Sequence, residues 1–294
     1  MPHLIQCDKL RLVVSSPPGA VPIAALACAP GDQTLCAVGA RIHVWHRTEL
    51  VRTLDGHTGT VRHLLVFGAH LVSVADDQTM RVWDLADGTC AEPIELAAGE
   101  RCVTLMHPDT YLNKVLVAYA SGVMELWNLR TRARIHRFTS FVGGSALAST
   151  LTCVVQSPAV DVVGVGFADG RALLHNLKFD QTLGGVQQED GGVTALVFRT
   201  DGTPTLCTAS SRGHVSVWDL NTRTLVTMVR DAHARAAITA LHFLPGQPVL
   251  LSSAGDNALR AWIFDAADGG ARLLRERAGH RWRFVNLCCS LSYN

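Results

Sequence analysis

The chain has 294 residues, 48% apolar and with 25 glycines, enough for one large domain of many short buried strands joined by turns. A formal net charge of +1 argues against a strongly basic nucleic-acid module and equally against an acidic tail. Of the 26 basic residues all but Lys9, Lys114 and Lys178 are arginine, a bias that, with abundant alanine, reads as genome composition rather than as a device for reading phosphates.

In chain order, residues 12–31 (LVVSSPPGAVPIAALACAPG) follow Lys9 and Arg11 and resemble a signal peptide ending in small residues. Pro17-Pro18 and Pro22 interrupt the apolar run, and VPIAALACAPGDQTLCAVGARIHVW predicts two strands around Pro30-Gly31-Asp32 and a third ending at Trp45. The second repeat is the clearest: Gly56-His57, the alternating run VRHLLVF, then LVSVADDQTMRVWDL closing on Trp83-Asp84. Trp127 (VMELW), Trp218 (HVSVW) and Trp262 (ALRAW) end similar runs, and His175 closes another (RALLHN). From Trp45 onward the intervals are 38, 44, 48, 43 and 44 residues. A repeat of this length built from short strands is the signature of WD-repeat propeller blades. The predicted fold is all-β, an incomplete WD-repeat β-propeller of the seven-bladed type with five full blades plus part-blades.

Blade spacing also groups polar residues. His57, Ser73, Asp77 and Trp83 can link as Trp to Ser to His to Asp, satisfying groups that blade packing otherwise buries at about 1–3 kcal/mol each. The same set recurs at His233, Ser252, Asp256 and Trp262. Elsewhere it decays: Ser121 replaces the turn Asp in the third repeat and Arg212 in the fifth, while the fourth keeps Asp169-Gly170 but has His175 for Trp.

Nothing in the sequence carries catalysis. The nine cysteines contain no C-x-x-C, and Cys288-Cys289 is adjacent; Cys28, Cys36, Cys153 and Cys207 lie in apolar strand-like runs as small hydrophobes, in keeping with a reducing compartment. Gly164-x-Gly166-x-x-x-Gly170 has its last glycine one position late and no following helix, and Gly143-Gly144-Ser145 lacks a strand-to-helix elbow. Residues 138–160 lack charge but are too polar for a bilayer. No catalytic, cofactor-binding or metal-ligating residue, membrane span or small-molecule substrate is expected.

Several strings exceed what blade physics demands: MHPDTYLNKVL (106–116), SPAVDVVGVG (157–166), HNLKFDQTL (175–183), FRTDG (198–202), FLPGQPVLLSSAGDNALRAWIFD (243–265) and LLRERAGH (273–280). Through them the chain resembles the tandem-propeller WD-repeat subunits of the small-subunit processome, the U3 small nucleolar RNA-associated family, from about residue 7 to residue 280 and through the first propeller only. The resemblance implies a non-enzymatic scaffold of pre-rRNA processing in the nucleolus that holds other WD-repeat processome subunits and pre-rRNA or small nucleolar RNA. The alternative is a generic WD-repeat adaptor, such as a ubiquitin-ligase substrate receptor or a coat component. Gly279-His280 announces a further blade, but RWRFVNLCCSLSYN (281–294) matches neither the family nor a WD strand. Residues 1–280 are therefore expected to be a partial propeller, and 281–294 a divergent tail produced by truncation or by the gene model. Two arginine clusters are candidate contacts with RNA or a partner: Arg130, Arg132, Arg134 and Arg137, and more weakly Arg272, Arg275, Arg277, Arg281 and Arg283. Each also reads as a solvated outer strand.

Overall fold

The structure, a computed structural model, describes residues 22–141, 149–264 and 270–278, and every regular element among them is a β-strand. The first sheet holds β1 (Ile23–Ala29), β2 (Gln33–Val38), β3 (Arg41–His46) and β4 (Glu49–Leu54); the second holds β5 (Val61–Phe67), β6 (His70–Ala75), β7 (Thr79–Asp84) and β8 (Ile94–Glu95). The third comprises β9 (Cys102–Met106), β10 (Lys114–Tyr119), β11 (Met124–Asn128) and β12 (Ala133–Phe138), and the fourth β13 (Leu151–Gln156), β14 (Val162–Phe167), β15 (Arg171–Asn176) and β16 (Gln181–Gln187). The fifth comprises β17 (Val193–Phe198), β18 (Thr205–Ser210), β19 (Val215–Asp219) and β20 (Thr224–Val229), and the sixth β21 (Ile238–Phe243), β22 (Val249–Ala254), β23 (Leu259–Phe264) and β24 (Ala271–Arg277).

Each sheet is an antiparallel meander, and the innermost strands pack in sequence, β1 on β5, β5 on β9 and so on to β17 on β21. This is the radial stacking of propeller blades. Six four-stranded sheets stand where the sequence predicts five full blades, because Glu49–Leu54 and Ala271–Arg277 supply outer strands that complete the first and last. Gly143-Gly144-Ser145, Gly279-His280 and the 281–294 tail lie outside the described residues.

The hydrophobic core is divided among the seams. Five apolar clusters each join one sheet to the next, from Leu35, Ile42 and Val61 at the first seam to Ile238, Phe243 and Trp262 at the fifth. Second strands are covered on both faces, so β14 and β18 are buried throughout, whereas outer strands such as β12 are exposed until their last residue. A residue at or next to the end of the outer strand keys one blade into the next. Register places Leu54, Ile94, Phe138, Val186 and Val229 at equivalent positions, opposite Ile42, Met80, Met124, Ala172 and Val215, and each packs in the following seam. In the sixth sheet the position is Arg277, which is exposed.

The glycines of β14 are explained by the same packing. A Cβ on Gly164 would sit 2.9 Å from the Phe198 ring of the next sheet, and one on Gly166 2.8 Å from Val193 Cγ1 of the same neighbouring sheet. Close approach of two sheets, rather than a phosphate loop, requires them.

Candidate functional site

The polar groups of the second repeat meet at the first seam. The Trp83 indole N–H donates to Ser73 Oγ at 2.8 Å, and Ser73 Oγ lies 2.8 Å from His57 Nε2. His57 Nδ1 lies 2.9 Å from Asp77 Oδ2. The arrangement requires the Nδ1–H tautomer, with Nε2 accepting the serine proton. Asp77 also accepts from the N–H of Thr58 at 2.9 Å, and from the N–H and hydroxyl of Thr79 at 3.0 and 2.8 Å. Burial alone would raise the Asp77 carboxyl, but these donors overcome it and hold the group well below the usual range. In the sixth sheet His233 Nε2 is 2.6 Å from Ser252 Oγ, which accepts from Trp262 at 2.9 Å, and His233 Nδ1 is 3.1 Å from Asp256. Arg260 joins this set, donating to Asp256 at 2.9 Å and to Glu276 at 2.8 Å.

The other sheets solve the same problem with different chemistry. Register identifies the position two residues beyond the partner of each closing residue: Cys36, Ser73, Val117, Val165, Thr208 and Ser252. In the fifth sheet Trp218 donates to Thr208 Oγ1 at 3.0 Å, and the Thr208 hydroxyl donates to Gln188 Oε1 at 2.9 Å, so an amide stands in for the histidine. Thr208→Val should keep the volume, strand both the indole N–H and the amide, and lower stability by about 1–3 kcal/mol in denaturant titration. An unchanged midpoint would show that the hydroxyl contributes nothing.

In the third sheet Val117 offers no acceptor, and its cross-strand partner Glu125 supplies one instead. The fully buried Glu125 accepts from Trp127 Nε1 at 3.2 Å, from the Tyr119 hydroxyl at 3.0 Å and from Arg134 at 2.8 Å, with Arg137 Nε 3.8 Å away. Burial, then the Glu125 charge, pushes the Tyr119 hydroxyl far up, so it remains a donor. In the fourth sheet buried His175 lies edge-on to Phe138 and Phe141, and its Nε2 is 3.3 Å from Asp180 Oδ1 without the alignment of a hydrogen bond. The indole N–H of Trp45 is buried with no acceptor among the described residues, where Cys36 replaces the hydroxyl.

The first arginine cluster divides. Arg134 and Arg137 face Glu125 from β12, and Arg132 pairs with Glu92 at 3.0 Å, leaving Arg130 with no carboxylate partner among the described residues. Of the second cluster Arg272, Arg275 and Arg277 lie on the exposed strand β24, and Arg281 and Arg283 lie outside the described residues. Cys36, Cys90, Cys102, Cys153 and Cys207 are free thiols, and burial pushes Cys36, Cys102 and Cys153 up to about 12, which disfavours the reactive thiolate. Among the described residues no group of three or more His, Cys, Asp or Glu is arranged to hold a metal, and no helix is long and apolar enough to cross a membrane.

Burial lowers the pKa of His57, His63, His175, His233 and His242. A proton therefore binds the unfolded chain more readily, so the native advantage is complete above about pH 6.5 and declines as pH falls through that value toward the lower native ones. Asp77 and Asp256, also held low in the native state, extend the loss below about pH 4. Melting temperature should fall monotonically from pH 7.5 to 4.5; a maximum near pH 5 would contradict this account.

Comparison with known proteins agrees with this architecture. The family described as the WDR36/Utp21 first beta-propeller matches residues 3–265. Human WD repeat-containing protein 36 is 35% identical over 289 residues, covering 97% of this chain and 31% of the relative. The U3 small nucleolar RNA-associated protein 21 homolog of Schizosaccharomyces pombe is 35% identical over 255 residues, covering 85% of this chain and 28% of the relative. The chain thus spans under a third of the length of these curated relatives. The solved structure of U3-55K shares the fold with a TM-score of 0.74 at 12% identity, over 87% of this chain and 81% of that one. A chain of the mitotic checkpoint complex does so with a TM-score of 0.77 at 16% identity, over 93% and 83%. By the match over residues 3–265, the chain belongs to the WDR36/Utp21 first beta-propeller family.

Proposed function

We propose that the chain is a non-enzymatic scaffold of small-subunit ribosome biogenesis, acting in pre-rRNA processing within the nucleolar small-subunit processome. The family match over residues 3–265 carries the reading, supported by relatives named for association with U3 small nucleolar RNA. The geometry is in keeping with it: buried His57, His233, Ser73, Ser252 and Glu125 are engaged in hydrogen bonds within their own blades, leaving rigid loop surfaces for contact. Its partners on this reading are other WD-repeat subunits and pre-rRNA or U3 RNA, with Arg130 the member of its cluster free to meet an anionic group. Affinity purification of the tagged chain from a eukaryotic host, followed by RNA and protein quantification, tests this. U3 RNA and 18S precursors should be enriched. Enrichment of a ubiquitin-ligase or vesicle-coat subunit without U3 RNA would replace the scaffold reading with that of a generic adaptor.

A further inference from the structure

The turn after each closing residue is built alike. Asp84, Asn128, Asn176 and Asp219 follow Trp83, Trp127, His175 and Trp218, and each side chain accepts from the N–H two residues on, at 2.7, 3.0, 2.9 and 2.7 Å. Each turn then ends on a residue with left-handed backbone: Gly88 (φ 80°), Arg132 (54°), Asp180 (50°) and Arg223 (58°). That residue stands at the rim against the outer strand of the preceding sheet. There it confronts a second repeated position, two residues before the keying side chains Leu54, Ile94, Phe138 and Val186: Arg52, Glu92, His136 and Gly184.

The two positions complement each other at every one of these seams. At the first, Arg52 lies along Gly88, where a Cβ would sit 2.5 Å from its Cδ, and donates to Leu85 O at 3.2 Å and Ala86 O at 3.1 Å. At the second, Arg132 donates to Glu92 at 3.0 Å. At the third, His136 Nε2 lies 2.9 Å from Asp180 Oδ2, and the Ser140 hydroxyl donates to the other carboxylate oxygen at 2.7 Å. The fourth reverses the first: Arg223 donates to Leu183 O at 2.9 Å across Gly184, where any Cβ would collide with the guanidinium. Long faces short and acid faces base, and no seam sets two arginines or two carboxylates together. At the fifth seam the positions are Thr227 and residue 267, and the latter lies outside the described residues. We infer that these two positions form an outer latch, matched in size and charge to specify which sheet stacks on which, and that releasing a latch lets two sheets part at the rim about an intact apolar cluster. Matching of this kind discriminates against a wrong neighbour as much as it attracts the right one. Ties between partly exposed groups add little to global stability, so their effect falls on local opening.

Amide hydrogen exchange on the full chain, with the latch residues exchanged, tests the inference. R52G/G88R transplants the fourth-seam arrangement into the first. Val51 is the extra residue of a bulge in β4 as Leu183 is in β16, so the guanidinium introduced at position 88 should reach Val51 O. Exchange over residues 49–54 and 85–95 should rise about tenfold in R52G, which loses the tie, and in G88R, which crowds Arg52. In the double variant it should return to within about twofold of the parent, with β1 and β5 at parent rates in all three. At the fourth seam R223N keeps a residue that tolerates the left-handed backbone but is too short to reach Leu183, and residues 181–187 and 220–229 should exchange about tenfold faster while β13 and β17 do not change. A double variant that does not fold or exchanges as fast as either single variant, an R223N protein with parent rates, or acceleration that spreads equally to the inner strands would overturn the latch.

Discussion

Glu125→Ala should lower the stability of the chain by about 3 kcal/mol, because the carboxylate satisfies two buried donors at once. The Trp127 indole and the Tyr119 hydroxyl both donate to its Oε2, and neither has an alternative acceptor of the Ser73 kind, since Val117 occupies that register position. Arg134, about half exposed, can turn to water when its partner is removed, so most of the loss comes from the two stranded donors rather than from the ion pair. Glu125→Gln keeps an acceptor oxygen and should recover part of the stability. Urea titrations of both variants check this. Equal destabilisation would mean that the charge on Glu125 matters more than its acceptor geometry.

Asp77→Ala is the second large effect, at about 1–3 kcal/mol. Asp77 gathers His57, the N–H groups of Thr58 and Thr79 and the Thr79 hydroxyl, and so joins the segment before β5 to the β6–β7 turn. Without it His57 loses the acceptor that fixes its tautomer, and the effect should pass along the chain to Ser73 and Trp83. A double-mutant cycle with Ser73→Ala should therefore show coupling of about 0.5–3 kcal/mol, whereas additive losses would mean that the four residues act separately. The Asp77→Ala protein should also lose less stability than its parent between pH 5 and 3, since the parent's unfolded chain takes up a proton on this carboxyl at about pH 4 while its native state, with the group held lower, does not.

The regular parts of this architecture could be read from residue types at fixed spacing. The closing tryptophans and the sets at His57 and His233 were legible because each position keeps the side chain that its hydrogen bond needs. Glu125 was not, because its acceptor moves across the ladder: the second strand shows only Val117, and a position-by-position scan reads a loss where the third strand has compensated. Gln188 was equally hidden, since an amide in the 188–192 loop does not resemble the missing histidine until Thr208 is placed against it. Trp218 held a clue, as a strand-closing indole needs an acceptor and Thr208 is the hydroxyl at the required register. The arginines between 130 and 137 suggested a basic surface, and only the cross-strand neighbours of β12 reveal that two of them face a buried carboxylate.

Because the apolar clusters belong to seams, the molecule behaves thermodynamically as a row of coupled neighbours. An inner sheet is held by two described clusters, whereas the first and sixth are held by one each. Free energy for opening should therefore be graded along the chain, as in linear repeat arrays, with amide protons of β14 and β18 exchanging last and those of the terminal sheets first. A lesion at one seam should loosen the two sheets that share it and leave distant ones protected. Disruption around Phe138 would thus act less like a hole in a globular core than like a weak link dividing the row into two three-sheet segments that fray independently.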